Sequence, residues 1–213
     1  ITLYGRIIDY LGHTTTKEGK DLAFIQSSDR MNFEEKHGAY YEPLYESDLI
    51  CLGLNSKSEE WNVRDTTQTL WVYHQKQARI KSICSDEKYL YVGTTYRLDG
   101  NNTNESDLCV ICLEKETGKQ IWKQPIEGSV STDMVLHDSK IYFGASLPEE
   151  GRIYTLSTQN GTIVQKLDSS CKGFRSFIST KDGLYYAANP YSKTLSLCIY
   201  HYSFQTQAAN PKK

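Results

Sequence analysis

The feature that most constrains the fold is an internal repeat of short strand-like segments. Each repeat has a polar turn followed by alternating large side chains that give way to small ones, as in "EKYLYVGTT" (87–95). Three other segments follow the same pattern, the first of them weakly: "KDLAFIQSS" (20–28), "SKIYFGAS" (139–146) and "DGLYYAAN" (182–189). Segments of this length with period-two alternation predict β-strands.

Further strand-like segments surround each copy. One precedes it, as "RIKSICS" (79–85) does, and one follows it, as "DLCVICL" (107–113) does. The following segments in the other copies are "DLICLGL" (48–54), "GRIYTLS" (151–157) and "KTLSLCI" (193–199). A tight turn and a fourth strand complete the unit in "ETGKQIWKQPI" (116–126) and "QNGTIVQKL" (159–167), with "QTLWVYHQ" (68–75) as the counterpart in the first unit.

The unit size points to one architecture. The second strands of the last three copies recur after about 51 and 43 residues, which is the length of a four-stranded propeller blade. We therefore predict an all-β protein with about four visible four-stranded antiparallel blades. The expected arrangement is one propeller domain or partial propeller over 1–213, with blades at 1–77, 78–128, 129–170 and 171–213.

Two cysteines in the second unit have the spacing of a metal or redox motif, but the repeat favours a packing role. Cys112 occupies a position that we align with Cys51, Thr155 and Cys198, all of which are small. Cys109, three residues earlier on the same strand, then points to the opposite sheet face, so the two cannot share a metal. We interpret Cys112 as structural, and Gly118 as the residue that supplies a positive φ in the next turn.

The stretch "LCVICLEKETGKQIW" (108–122) resembles the repeat of the pyrroloquinoline-quinone-like (quinoprotein-type) β-propellers. The match is good at Leu113, Thr117, Gly118, Lys119 and Trp122, partial over 156–165, and weak from Leu52 to Trp61. The resemblance implies a propeller in which Trp122 is a structural docking residue between adjacent blades.

The same resemblance argues against catalysis. The pair of adjacent cysteines that holds the quinone in catalytic members is absent, and no acidic cluster matches their calcium site. The five histidines are scattered, and no nucleophile motif or phosphate-binding loop is present. We therefore predict no catalytic, cofactor-binding or metal-binding residues. A polar column of Ser82, Asp133 and Ser176 on the first strands is more consistent with solvation of a central channel than with ligand binding.

Blade number leaves two alternatives open, because the resembling proteins usually close seven or eight blades. The N-terminal "ITLYG" (1–5) could complete the last blade and close a small ring, or the chain could be part of a larger propeller. The second alternative is favoured by that usual blade number and by a chain that starts at Ile1, which suggests processing or excision from something longer.

The longest connection between a second and a third strand lies in the first unit. This insertion, 29–47, carries four aromatic residues among glutamates: Phe33, Tyr40, Tyr41 and Tyr45. Aromatic anchors within a polar rim favour protein binding, although a loop folded over its own blade is an equal alternative. The expected partner is another protein or the missing blades of a larger propeller.

The function predicted from these patterns is a non-catalytic interaction, scaffold or sensor module. The alternative is a domain of a quinone- or sugar-linked enzyme whose other site residues lie outside the chain. The charges, 24 basic against 26 acidic, do not indicate nucleic acid as a partner, and no apolar run approaches a membrane span. Core cysteines that we expect to remain unpaired favour a cytoplasmic location, with an extracytoplasmic one as the alternative.

Overall fold

The computed structural model describes residues 2–3, 6–29, 35–36, 39–40, 46–54, 69–76, 78–95, 107–148, 150–169, 171–190 and 198–204. The chain divides into two compact units, Ile1–Ile126 and Glu127–Lys213. Within the described residues each unit contains two larger antiparallel sheets, which we number I to IV in chain order. None of the helices within the described ranges is long and apolar enough to cross a membrane.

The described part of the first unit contains eleven strands: β1 (Thr2–Leu3), β2 (Arg6–Thr15), β3 (Asp21–Asp29), β4 (Glu35–Lys36), β5 (Ala39–Tyr40), β6 (Glu46–Leu54), β7 (Thr69–Lys76), β8 (Arg79–Ser85), β9 (Tyr89–Thr95), β10 (Cys109–Glu114) and β11 (Gln120–Pro125). Sheet I has the order β1-β2-β3-β6-β7, and sheet II the order β11-β10-β9-β8. Strands β4 and β5 form a separate two-stranded sheet.

Among the described residues of the second unit there are eight strands: β12 (Ser129–Val130), β13 (Val135–His137), β14 (Lys140–Ser146), β15 (Gly151–Ser157), β16 (Ile163–Ser169), β17 (Cys171–Ser179), β18 (Gly183–Pro190) and β19 (Cys198–Ser203). Sheet III has the order β12-β14-β15-β16, with β13 also paired to β14, and sheet IV the order β17-β18-β19. Each sheet lies within one of the predicted blade ranges, and the predicted all-β propeller fold is confirmed.

The N-terminal strand differs from one alternative raised by the sequence. Thr2 pairs with Ile7 and Leu3 with Arg6, so β1 forms a hairpin with β2 in sheet I. It does not supply a fourth strand to the last blade, and that assignment is wrong. A hairpin that spans only six residues costs little loop-closure entropy, whereas pairing with the distant end of the chain would cost more.

The core of the first unit lies between sheets I and II. Phe24, Cys51 and Trp71 form a row across sheet I and pack with buried aliphatic residues of sheet II: Leu90, Val92, Ile111 and Leu113. The phenyl and indole rings approach to 6.0 Å between centroids above the small Cys51. This arrangement explains the preference for a small residue in the third strand, because the rings from the two flanking strands meet over it.

The core of the second unit lies between sheets III and IV and is mainly aromatic. Tyr142 and Ile153 of sheet III pack with Phe174, Phe177 and Leu184 of sheet IV. A Cβ atom added at Gly144 would lie 2.8 Å from the Phe174 ring. Gly144, which follows the large pair Tyr142 and Phe143 in "YFGAS" (142–146), therefore leaves room for an aromatic side chain from the neighbouring sheet.

The register of the last blade corrects the sequence alignment. Tyr142 pairs with Thr155 in sheet III, but the aligned Tyr185 in sheet IV pairs with His201, while Cys198 pairs with Ala188. Cys198 therefore does not belong to the small-residue position shared by Cys51 and Cys112. The described third strand, β19, overlaps the end of the predicted 193–199 and continues to Ser203, and its register puts Tyr200 and Tyr202 with Leu184 on the buried face.

Candidate interaction surface

The insertion in the first blade begins after Asp29 and ends before Glu46. Its described part is the small sheet of β4 and β5, in which Glu35 pairs with Tyr40 and Lys36 with Ala39. The insertion thus contains a tight hairpin of its own. A hairpin restricts the loop backbone and lowers the entropy lost when a partner binds.

The predicted protein-binding residues lie largely outside the described part of the structure. Phe33, Tyr41 and Tyr45 fall outside it, and Tyr40 is placed by its backbone alone, in β5. Their role in binding another protein stays a prediction.

The base of the insertion is lined by buried polar side chains. Gln26, Ser47 and Gln75 are each at most 3 % exposed, and the Gln26 amide donates a hydrogen bond to the Ser47 hydroxyl at 3.3 Å. Nearby, His74 Nδ1 lies 2.7 Å from Asp48 Oδ1. Buried polar groups that are bonded fix local geometry, so the ends of β3 and β6 hold the insertion at a defined place.

Trp71 connects the two blades of the first unit, a role that the sequence reasoning missed. Its Nε1–H donates a 2.8 Å hydrogen bond to the buried carbonyl of Lys115, in the turn between β10 and β11. Its ring lies against Gly118 of the same turn, where φ is +69° and an added Cβ would come within 2.6 Å of the indole. Gly118 is therefore needed for close approach as well as for its backbone conformation.

The sequence contained a usable signal for Trp71. Cys51 pairs with Trp71 in the same way that Cys112 pairs with Trp122. The predicted fourth strand "QTLWVYHQ" (68–75) carries Trp71 at this position, as "QIWKQ" (120–124) carries Trp122. The weak match from Leu52 to Trp61 ends outside the described residues and stays a prediction.

Lys115 is a second connector between the blades of the first unit. The residue is only 1 % exposed, and its ammonium donates to the Asp86 carbonyl at 2.7 Å and to the Thr14 hydroxyl at 3.5 Å. Burial lowers the pKa of Lys115. Lys115 therefore links three elements to its own turn. Its carbonyl accepts a hydrogen bond from β7, and its ammonium donates to β2 and to the β8–β9 turn.

Cys112 and Trp122 lie on the face of sheet II opposite Cys109. Cys112 pairs with Tyr91 on one side and Trp122 on the other, and the two rings lie 5.9 Å apart between centroids with their planes tilted by 31°. This repeats the ring–cysteine–ring row of sheet I. Trp122 is partly buried, and its predicted role in docking between blades stays a prediction.

Five of the six cysteines, Cys51, Cys84, Cys109, Cys112 and Cys198, are free thiols. Burial raises the pKa of Cys51, Cys84 and Cys112 to about 12, and raises that of Cys109. Such thiols carry little thiolate at neutral pH, which disfavours redox or nucleophilic chemistry. Across the described ranges, no three His, Cys, Asp or Glu residues are grouped to hold a metal ion.

These thiols give a testable pH dependence. The unfolded chain releases thiol protons near pH 9, whereas folded Cys51, Cys84 and Cys112 retain theirs to about 12. The free energy of unfolding should therefore be unaffected below pH 9 and should fall as pH rises from 9 to 12. Urea unfolding across that range checks this, and Cys112→Ala should make the decline less steep. An unchanged slope would contradict the burial of Cys112.

Thiol titration of the denatured, unreduced protein should find close to six free groups, and native protein at neutral pH should react slowly. Two or more disulfides would contradict the interpretation of the cysteines as packing residues.

Two further polar features lie within the described residues, the predicted channel column and a charged groove. Of the predicted channel residues, Ser82 is buried, Ser176 partly buried and Asp133 exposed. A groove of about 200 Å³ in the first unit is lined by charged side chains, Lys17, Glu18, Glu87, Lys88, Glu114 and Glu116. Lys17 and Glu87 pair at 2.6 Å, as charges on a solvated surface often do.

A comparison with models of protein families shows which family the chain belongs to. Residues 64–181 match a family model described as outer membrane protein assembly factor BamB, and this range covers more than half of the chain. The chain belongs to this family. It is a PQQ-like propeller repeat protein, as the resemblance in the sequence predicted.

The similarity of the BamB-like chain to solved structures supports its fold alone. A putative dipeptidyl aminopeptidase IV from Bacteroides ovatus has a TM-score of 0.52 at 9% identity, over 96% of this chain and 34% of its own. A europium-containing methanol dehydrogenase has a TM-score of 0.49 at 13% identity, over 87% and 38%. BamB from Moraxella catarrhalis has a TM-score of 0.43 at 14% identity, over 84% and 54%. The chain thus spans about a third to a half of these proteins, and no curated protein matches its sequence.

Proposed function

We propose that this BamB-like chain is a non-catalytic protein-interaction module that binds a protein partner through the insertion of its first blade. The observation that carries the proposal is the β4–β5 hairpin, held between two long paired strands of sheet I. Function in propellers is often carried by loops on a rigid scaffold. The family description, an assembly factor, also supports binding to other proteins.

Three features support a binding role for the insertion in particular. It is the longest connection between second and third strands, it has paired backbone of its own, and its sequence combines aromatic residues with glutamates. The buried hydrogen bond between Gln26 and Ser47 fixes its base. The free described cysteines support a reducing compartment for the module.

The proposal predicts that the insertion is not needed for folding but is needed for binding the partner. Replacing residues 30–45 with a short Gly-Ser link should leave the melting temperature almost unchanged, because both strands that bound the insertion remain paired. A photo-crosslinking amino acid at position 40 of the full-length insertion should give a defined adduct, identified by mass spectrometry. The shortened protein should compete for that partner at least about tenfold less well, a difference of about 1.4 kcal/mol.

The matched control is the equivalent connection of the second blade, residues 96–106, shortened in the same way. It should compete like the unmodified protein. If shortening 30–45 unfolds the protein, the insertion belongs to the core. If both shortened proteins compete equally well, the partner binds elsewhere.

A further inference from the structure

The turn between β15 and β16 contains an asparagine followed directly by a glycine, Asn160 and Gly161. Such a pair is prone to deamidation, because a glycine has no side chain to hinder attack by its backbone nitrogen on the preceding amide. The Asn160 side chain is exposed, so water reaches it. The turn therefore combines a reactive pair with access to the water that completes the reaction.

The reaction uses only these two residues and water. The Gly161 backbone nitrogen attacks the side-chain carbonyl carbon of Asn160, and a nitrogen–carbon bond forms between them. The side-chain amide bond of Asn160 breaks, and its nitrogen leaves as ammonia together with the proton of the Gly161 N–H. One water molecule then opens the resulting succinimide ring at either carbonyl and leaves aspartate or isoaspartate at position 160. No step is an oxidation or a reduction.

The folded turn opposes this reaction at both reacting groups. The Gly161 N–H donates a 2.9 Å hydrogen bond to the Ser157 carbonyl, so the attacking nitrogen is already paired. The Asn160 Oδ1 atom accepts from the Thr162 backbone N–H at 3.1 Å and from the Thr162 hydroxyl at 2.8 Å, which fixes the side-chain amide. Attack of the nitrogen on the amide therefore requires that these hydrogen bonds break first.

The corresponding turn between β10 and β11 forms the same structure without a reactive pair. Gly118 takes the place of Gly161, and its N–H likewise donates to a carbonyl four residues earlier, at 2.8 Å. Thr117 takes the place of Asn160, and its hydroxyl accepts from the Lys119 N–H at 3.2 Å. Threonine cannot deamidate, so the fold of this turn does not require the asparagine that makes the third blade reactive.

We propose that Asn160 is a deamidation site that the folded turn protects, so that the modification takes place when this end of the β15–β16 hairpin opens. Local openings of this kind occur in folded proteins without global unfolding. Because the released ammonia does not return to the chain, each modified Asn160 is a permanent record of an opening. Aspartate adds a negative charge to the exposed turn, and isoaspartate also lengthens its backbone by one methylene group.

The site can be tested by incubating the full chain at mildly alkaline pH, in native buffer and in urea. Mass spectrometry of the peptide that contains position 160 measures aspartate and isoaspartate over time. Each hydrogen bond contributes modestly, but several must break together, so modification in urea should be at least about tenfold faster than in native buffer.

Variants of Thr162 separate protection by the turn from the reactivity of the pair itself. Thr162→Val removes the hydroxyl that holds Asn160 and keeps the branched side-chain shape, so in native buffer it should be modified about threefold faster than the unmodified protein. In urea the two should be modified at the same rate. Thr162→Ser keeps the hydroxyl and should behave like the unmodified protein in both solutions. Asn160→Thr, which copies Thr117, should show no modification of this peptide.

Three results would overturn the proposal. Equal rates in native buffer and in urea would show that the turn gives no protection. Equal native rates for Thr162→Val and Thr162→Ser would show that the hydroxyl does not hold the Asn160 amide. A peptide that stays unmodified in urea would exclude Asn160 as a deamidation site.

Discussion

Replacing Trp71 with Ala should lower the free energy of unfolding by about 3–5 kcal/mol, the range for emptying a buried Trp site. The side chain is 8% exposed, packs with Phe24 and donates a buried hydrogen bond to the Lys115 carbonyl. Its removal leaves a cavity between sheets I and II and a carbonyl without its partner. Denaturant unfolding followed by circular dichroism measures the loss.

Trp71→Phe separates the two contributions. The phenyl ring keeps part of the packing but cannot donate to Lys115, so its cost should be smaller than that of Ala, with about 1–3 kcal/mol from the unsatisfied carbonyl. A Trp71→Ala protein as stable as the unmodified one would contradict the position of Trp71 between the blades.

Gly118→Ala is expected to cost about 2–5 kcal/mol for two separate reasons. The left-handed backbone at φ +69° is unfavourable for any residue with a Cβ, by about 1–2 kcal/mol. The new methyl group would also lie 2.6 Å from the Trp71 ring, and overpacking of this kind costs about 1–3 kcal/mol more. Thermal or urea unfolding of the variant measures the total.

Gly19→Ala is the matched control, since Gly19 has φ +79° with no atom within 4 Å of an added Cβ. It should show the backbone cost alone, about 1–2 kcal/mol. Combining Gly118→Ala with Trp71→Ala should cost less than the sum of the single changes, because the methyl group then enters vacated space. Equal costs for the two glycines would show that Gly118 does not contact the indole.

The blades could be predicted from the sequence because the repeat is carried by buried residues whose spacing is fixed by strand geometry. The prediction failed where that spacing is weakest. In the last blade, Cys198 was taken for the small residue because it resembles Cys51 and Cys112, but strand register follows the buried face and therefore Tyr200 and Tyr202. The chemical similarity of one residue was a poorer guide to the strand register than the alternation of several buried residues.

The candidate site was less predictable than the fold. An insertion with aromatic residues indicates that a surface exists but not which side chains reach a partner, because loop conformation depends on contacts distant in sequence. The hydrogen bond between Gln26 and Ser47 joins residues 21 positions apart and could not be inferred from either segment. The role of Trp71 was missed for a related reason, since its partners lie 44 or more positions later, in the next blade.

Lys115 has a consequence for how the first unit opens. A blade that separated from its neighbour would leave the Lys115 carbonyl without Trp71 and its ammonium without Thr14. Both losses fall on the same residue, so sheets I and II lose these contacts together. We therefore expect the two blades to open as one cooperative unit, so that slow amide exchange in β3 and β10 reports the same opening event.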